Sequence, residues 1–118
     1  MANTFKVVTV AGVTSEEQIY IAGGSVAATI ILGLMVGNKG TSQVTSTVKL
    51  VSNTTSRPPS DTNSGANANV QLVTNAPIPA GSSLELLAGN KIVLEDTDEI
   101  TVSASGAVDI ALSIMEIT

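Results

Sequence analysis

The sequence contains no cysteine, no histidine and no tryptophan, and Phe5 and Tyr20 are its only aromatic residues. The missing cysteines exclude disulfide bonds and thiol nucleophiles, and with the missing histidines they exclude zinc sites of the Cys/His type. Without histidine there is no Ser-His-Asp triad and no imidazole acid–base catalysis. The composition therefore predicts a protein that is not an enzyme and that binds no cofactor.

Basic residues are also few, with five Lys and Arg against ten Asp and Glu, so the net charge is −5. The five cations are scattered along the chain: Lys6, Lys39, Lys49, Arg57 and Lys91. A protein that binds nucleic acid neutralises phosphates with clustered Lys and Arg. We therefore expect no direct contact with nucleic acid.

A hydrophobic run long enough to cross a bilayer is missing as well. Residues 20–38 carry no charge and include Gly33 and Gly37 at G-x-x-x-G spacing, which leaves a membrane helix as an alternative. The most apolar part, residues 26–36, has only about half of the roughly 20 residues that a spanning helix needs. Residues 1–10 show no basic segment followed by an apolar stretch, so no signal peptide is expected.

The same run alternates with a period of two, which is typical of a strand. The odd positions include the small residues Ala27, Thr29, Gly33 and Gly37, and the even positions carry Val26, Ala28, Ile30, Leu32, Leu34 and Val36. We therefore predict a long buried strand over residues 25–36 and place its segment from Ile30 to Val36 in the core.

What the chain has in abundance is β-branched and small polar residues, which favour strands. Further strands are predicted at residues 4–10, 18–22, 42–51, 68–74, 82–87 and 91–94, around Ile100, Val102 and Ala104, and from Val108 to Ile114, where apolar residues alternate strictly. Val70 and Leu72 are expected to face inward, and residues 76–80 to form an edge or crossing segment because of Pro77 and Pro79. The fold class is all-β: a single antiparallel β-sandwich, jelly-roll-like, of about eight or nine strands, occupying residues 1–118 as one domain.

Residues 52–67 contain no large apolar side chain and include two adjacent prolines. A loop of this length in a compact domain is usually functional or held by a partner. We predict that it contacts a neighbouring subunit, and the candidate contact residues are Arg57, Pro58, Pro59, Asp61 and Asn63. The alternative is a surface hairpin loop that rests on its own domain.

The only dense group of acids is Glu95, Asp96, Asp98 and Glu99. Such oxygen ligands can bind Ca²⁺, and Asp96 and Asp98 are weak candidates for a metal site, although the spacing does not fit an EF-hand. We favour a solvated turn between two strands and expect no metal. Asp109 lies on the outward face of the last strand, where a charge normally faces water or discourages edge pairing.

The C-terminal part carries the run NAPIPAGSSLELLAGNKIVLE from Asn75, then DEITV from Asp98, then AVDIALSIMEI from Ala107. These segments resemble small virion structural proteins of marine tailed phages, including cyanophages. The resemblance covers residues 68–118 well and the first half in pattern only. It implies a virion component with a β-sandwich fold, and no active-site residue is carried over.

The acidic charge favours the outside of a particle, because a face that lines packaged genome should not be strongly acidic. We therefore expect an outer capsid decoration or cement protein that binds the major capsid protein and forms a homo-oligomer such as a trimer. The alternatives are a tail, neck, baseplate or fibre component, a membrane-associated coat protein and, in another class, a host-surface or glycan-binding module.

Overall fold

The computed structural model describes residues 2–24, 26–53, 68–87 and 90–118. Within these ranges the chain forms nine β-strands and no helix. The strands are β1 (Asn3–Val13), β2 (Glu17–Ile21), β3 (Ala28–Gly37), β4 (Val44–Val51), β5 (Val70–Ile78), β6 (Ser83–Leu86), β7 (Ile92–Glu95), β8 (Glu99–Ala104) and β9 (Val108–Ile117). The predicted all-β fold class is confirmed. In the described ranges, no helix has the length and apolarity that crossing a bilayer requires.

The strands form two sheets that pack into a sandwich. Sheet A has the order β1-β9-β3, and both β6 and β7 pair with the far side of β3. Sheet B has the order β2-β8-β4-β5. All of these pairings are antiparallel. The last strand of the chain therefore lies inside sheet A, between the first strand and the third.

The core between the sheets is aliphatic, as the composition predicts. The alternation expected in β9 is confirmed, since Val108, Ile110, Leu112 and Ile114 are all buried. Sheet B contributes most of the opposing side chains, among them Val44, Val48, Ile78, Ile100 and Val102. Because period-two alternation places every second residue on one face, these short strands can each bury a row of side chains.

The predicted inward face of β3 is only half correct. Leu34 and Val36 are buried as expected, but in the first half of the strand the buried residues are Thr29 and Ile31 rather than Ile30. Opposite β9, Ile31 pairs with Ile114 and Gly33 pairs with Ser113, so Leu32 is an extra residue in a β-bulge. A single extra residue exchanges the two faces of a strand, because the side-chain period is two.

Strand β5 runs further than predicted and lies at the edge of sheet B. The expected edge position of Pro77 is confirmed: it sits in β5 opposite Thr45. An edge strand accommodates proline because the missing N–H can be one that faces solvent. Leu72 packs against the core, but Val70, which was expected to face inward, is 46% exposed.

The turn after β3 is organised by Asn38, whose side chain is buried. Its Nδ2 donates to the carbonyl oxygens of Ser42 at 2.8 Å and Ile78 at 3.0 Å, and its Oδ1 accepts from the Gly40 amide at 3.0 Å. Its backbone also bonds to Gly81 and Ser82. One asparagine thus connects the turn between the two sheets to the loop that leaves β5.

Two isoleucines in neighbouring strands test this description of the core. Ile100 in β8 is fully buried, whereas Ile21 in β2 is 44% exposed. Ile100→Ala should lower the free energy of unfolding by about 2–5 kcal/mol, through lost burial and the cavity left behind. Ile21→Ala should cost roughly 1 kcal/mol or less. Urea unfolding followed by circular dichroism measures both, and equal losses would contradict the assigned core.

Candidate interaction surface

The outward face of sheet A carries an unbroken apolar row across four strands. Phe5 in β1 lies opposite Met115 in β9, Met115 lies opposite Ile30 in β3, and Ile30 lies opposite Val93 in β7. Phe5 is 71% exposed and Val93 is 55% exposed. Since isolated exposed apolar residues are common but contiguous patches mark interaction sites, this row indicates a contact surface. We call it the outer row.

Beside the outer row the same face is lined by small residues. Val7 is exposed and stands opposite Ser113, which is opposite Gly33. Next to these, Met35 stands opposite Ala111. Two hollows on this face share Met35 and Ala111, and they have volumes of about 290 and 360 Å³. Pockets that bind small ligands have volumes of about 300–1,000 Å³, and these two hollows are at the lower end of that range. The face therefore suits contact with a protein better than binding of a small ligand.

One end of this face carries an ion pair. The Nζ of Lys39 lies 3.2 Å from Oδ1 of Asp109, and the same oxygen accepts the Gly12 amide at 3.1 Å. The Gly12 hydrogen bond, followed by Lys39, lowers the pKa of Asp109. Gly12 has a φ of +71° and belongs to a bulge in β1, where a side chain would strain the backbone. Asp109 lies in an interior strand, so it does not protect a sheet edge.

A polar cluster joins the two sheets at the other end of the sandwich. The hydroxyl of Tyr20 in β2 donates to Oε2 of Glu116 in β9 at 2.5 Å and lies 2.8 Å from Oγ1 of Thr29 in β3. Lys6 in β1 completes the cluster, with its Nζ 2.7 Å from Oε1 of Glu116. Hydrogen bonds from Lys6 and Tyr20 lower the pKa of Glu116. Burial, then the bond to Glu116, raises the pKa of Tyr20 to about 12.

The acidic turn has a different internal structure from the expected solvated turn. Asp96 is exposed, but Asp98 is buried. The carboxylate of Asp98 accepts the Asn53 amide at 2.9 Å on Oδ1 and the Glu95 amide at 3.1 Å on Oδ2. Within the described ranges, no three acidic side chains are grouped closely enough to hold a metal ion. Through these hydrogen bonds Asp98 connects the turn to the end of β4.

The predicted contact residues of the polar loop, Arg57, Pro58, Pro59, Asp61 and Asn63, lie outside the described residues. The structure does place the two ends of this loop. Strands β4 and β5 pair up to Leu50 and Val70, and the Ser52 amide donates to Oδ1 of Asn69 at 2.9 Å. Strands β4 and β5 therefore form an antiparallel pair at the edge of sheet B, the sheet opposite the outer row.

Sequence reasoning missed the outer row. Phe5 and Val7 sit in a segment that also carries Val8 and Val10, so both faces of β1 are apolar and alternation does not reveal the exposed one. The polar cluster was missed because Tyr20 and Glu116 are 96 positions apart. A signal was present in the isolated Glu116 among the apolar residues of β9, which needs a partner if it faces inward.

Comparison with known proteins gives a likeness of fold alone. No protein-family model matches the sequence, and no curated protein matches it. A solved structure from the work "Bacillus endospore appendages form a novel family of disulfide-linked pili" is similar, with a TM-score of 0.50 and 15% sequence identity. The alignment covers 98% of this chain and 87% of that one. The similar fold is therefore that of a pilus protein from Bacillus.

Replacing the buried carboxylate should destabilise the turn. Asp98→Asn keeps the size of the side chain but exchanges one acceptor oxygen for an NH₂ group, which would face a backbone amide donor. We expect a loss of about 1–3 kcal/mol in the free energy of unfolding. Asp109→Asn is the matched control, because that aspartate also accepts a backbone amide but is partly exposed, and its loss should be smaller. A larger loss for Asp109→Asn in urea unfolding would contradict the role given to Asp98.

The single tyrosine permits a direct test of the polar cluster. Tyr20 is the only tyrosine and there is no tryptophan, so tyrosinate absorbance reports this residue alone. The folded protein should titrate near 12, against the ordinary value of 10.0. Because the folded pKa is the higher one, this group stabilises the fold below pH 10 and loses that effect as the pH rises towards 12.

Glu116→Gln should move the Tyr20 titration part of the way back, since burial is the largest cause of the shift and remains. Glu85→Gln, in the distant strand β6, serves as the control and should leave the titration unchanged. Circular dichroism at each pH confirms that the chain is still folded. A titration near 10 in folded protein would show that the hydroxyl is not held as described.

Proposed function

We propose that this chain is a non-enzymatic structural protein of a virion, an outer capsid decoration protein that binds the major capsid protein. The observation that carries the proposal is the apolar outer row on the outward face of sheet A. Covering such a face stabilises the resulting complex by roughly 25 cal/mol for each Å² of apolar surface removed from water. Its function is then to attach the subunit to a larger surface.

The similar pilus fold supports an assembly role, and one difference limits how assembly can occur. The pili of the Bacillus appendages are disulfide-linked, whereas this chain has no cysteine. Its subunits therefore cannot be joined by disulfide bonds. A face that is apolar across four neighbouring strands is suited to noncovalent association.

The charge of the chain supports an outer position. The net charge is −5, and three of the five cations form ion pairs with Glu16, Asp109 and Glu116 of the same chain. Little positive charge remains to attract phosphate groups. A subunit on the outside of a shell has no such requirement, and the resemblance of residues 68–118 to phage virion proteins points to the same setting.

Two other functions give different experimental outcomes. A tail or fibre component is the nearer alternative, because the similar solved structure belongs to a filament. A glycan-binding module is further from the observations, since sugars stack on exposed aromatic rings. The hydroxyl of Tyr20 is engaged inside the sandwich, which leaves Phe5 as the exposed ring.

The test is cosedimentation of the purified chain with emptied capsids that lack it. Met35→Glu places a charge at the centre of the outward face and should abolish cosedimentation, because a buried charge without a partner is costly. Ile21→Glu is the matched control: Ile21 is 44% exposed and Met35 is 42% exposed, but Ile21 lies in sheet B. This variant should bind like the unchanged protein.

Counting the subunit in an intact particle separates the alternatives. A decoration protein should be present at a fixed ratio to the major capsid protein over the whole shell, and density for it should cover the capsid surface. Density confined to a tail or a neck, or binding to isolated tails instead of capsids, would replace the decoration proposal with the alternative. Binding of both glutamate variants alike would show that the outer face is not the contact.

A further inference from the structure

The open edge of β1 differs from every other sheet edge in the described part of the chain. Strand β1 has eleven residues, and its register with β9 is uninterrupted from Asn3 to Val10. Nothing among the described residues pairs with its other side, since β1 is the terminal strand of sheet A. A long regular edge of this kind is a template for pairing with another strand.

The remaining edges are each interrupted. Strand β2 has five residues and a register shift after Gln18. Strand β5 contains Pro77 and two register shifts against β4. On the far side of β3, the edge is divided between β6 and β7, which have four residues each. Short strands, bulges, proline and charged side chains are the usual means by which a sheet edge is protected from pairing. Between Asn3 and Val10 the edge of β1 has none of the first three, and its one charged residue, Lys6, is paired with Glu116.

The backbone groups on this edge can be assigned. The Ala2 amide donates to the Thr118 carbonyl, and the Thr118 amide donates to the Ala2 carbonyl, so these two residues form a hydrogen-bonded pair. Hydrogen-bonded and non-hydrogen-bonded pairs alternate along an antiparallel ladder. The even residues of β1 therefore bond to β9, and the odd residues, Asn3, Phe5, Val7 and Thr9, direct their N–H and C=O groups to the open edge.

Two of these odd residues carry the most exposed large apolar side chains among the residues that the structure describes. Phe5 is 71% exposed and Val7 is 65% exposed. A strand added beside β1 would satisfy the free backbone groups, and its own side chains would contact Phe5 and Val7 from one side. Aromatic and β-branched residues on adjacent strands stabilise a sheet by about 0.2–1 kcal/mol for each cross-strand pair. Backbone and side chains thus favour the same occupant, an extended strand.

We infer that this occupant is β1 of a second copy of the chain, paired antiparallel across a two-fold axis. The other edges of a second copy are interrupted, so its β1 is the one edge in the described ranges that matches this one in length and regularity. The two copies of sheet A then continue into each other. Lys6 does not oppose this pairing, because its charge is balanced by Glu116 at 2.7 Å in its own copy.

This inference goes beyond the proposed function, because pairing through the β1 edge does not depend on what the outward face contacts. It replaces the expected trimer with a two-fold dimer, since a symmetric strand pair closes with two copies. The outward face of sheet A remains accessible in the dimer, so a dimer can still attach to a shell.

Sedimentation equilibrium of the unchanged protein measures the association, and we expect a monomer–dimer equilibrium. Val7→Pro removes one N–H that points to the open edge and places the proline ring there. The monomer should tolerate this change, because an edge strand accommodates proline where the missing N–H would face solvent. Val7→Pro should weaken dimerisation by on the order of tenfold or more, since one edge hydrogen bond and its close neighbours are lost. Phe5→Lys tests the same edge without touching the backbone and should weaken the dimer as well.

Ile21→Lys is the control, because it puts the same charge on the edge strand β2 and should leave the dimer intact. The absence of cysteine allows a second readout. Val7→Cys should be joined into a covalent dimer by a short bismaleimide, and Ile21→Cys should not. A monomer at all concentrations, a trimer, an open-ended filament, or a dimer that both β1 variants leave unchanged would overturn the inference. A failure of capsid binding would not affect it.

Discussion

The strand β9 is the element on which the rest of the structure depends. It is paired on both sides, with β1 and with β3, over nearly its whole length. Its inward residues Val108, Ile110, Leu112 and Ile114 form a continuous buried row, and the core contains no aromatic side chain among the buried residues described. A core of aliphatic groups gains its stability from close, regular packing, so the register of β9 with β1 and β3 sets the positions of both neighbours.

The polar contacts between the sheets lie at the ends of this core. Tyr20 and Glu116 join β2 to β9 at one end, and Asn38 joins the turns at the other. Asp98, in the turn between β7 and β8, accepts the backbone amides of Glu95 in β7 and of Asn53 after β4, and so also connects the two sheets. A buried polar group is costly unless it is hydrogen-bonded, and each of these groups has its partners. They add directional contacts between two sheets whose other contacts in the core are aliphatic.

How much of this fold could be predicted depends on the strand. The pattern of β9 is strict and its inward face was predicted correctly, whereas β3 is apolar on both faces and gives no sign of the bulge at Leu32. The exposed row through Phe5 was missed for the same reason. The cluster of Tyr20 and Glu116 depends on two strands that are far apart in the sequence, and alternation within a strand carries no information about that pairing. The contact residues predicted between Arg57 and Asn63 lie outside the described residues and stay a prediction.

The outward face and the open edge of sheet A are separate means of association, because one uses side chains and the other uses backbone groups. Side chains of the face project perpendicular to the sheet, while the free N–H and C=O groups of β1 lie in its plane. A partner on the face and a second copy on the edge therefore use largely different atoms. Phe5 and Val7 belong to both, since their side chains lie on the face and their backbone on the edge. Pairing at the edge would extend the apolar face across two subunits. Once one subunit of the dimer has bound a larger surface, the second is held beside that surface at a high effective concentration. Two contacts that are weak singly can therefore hold the dimer firmly.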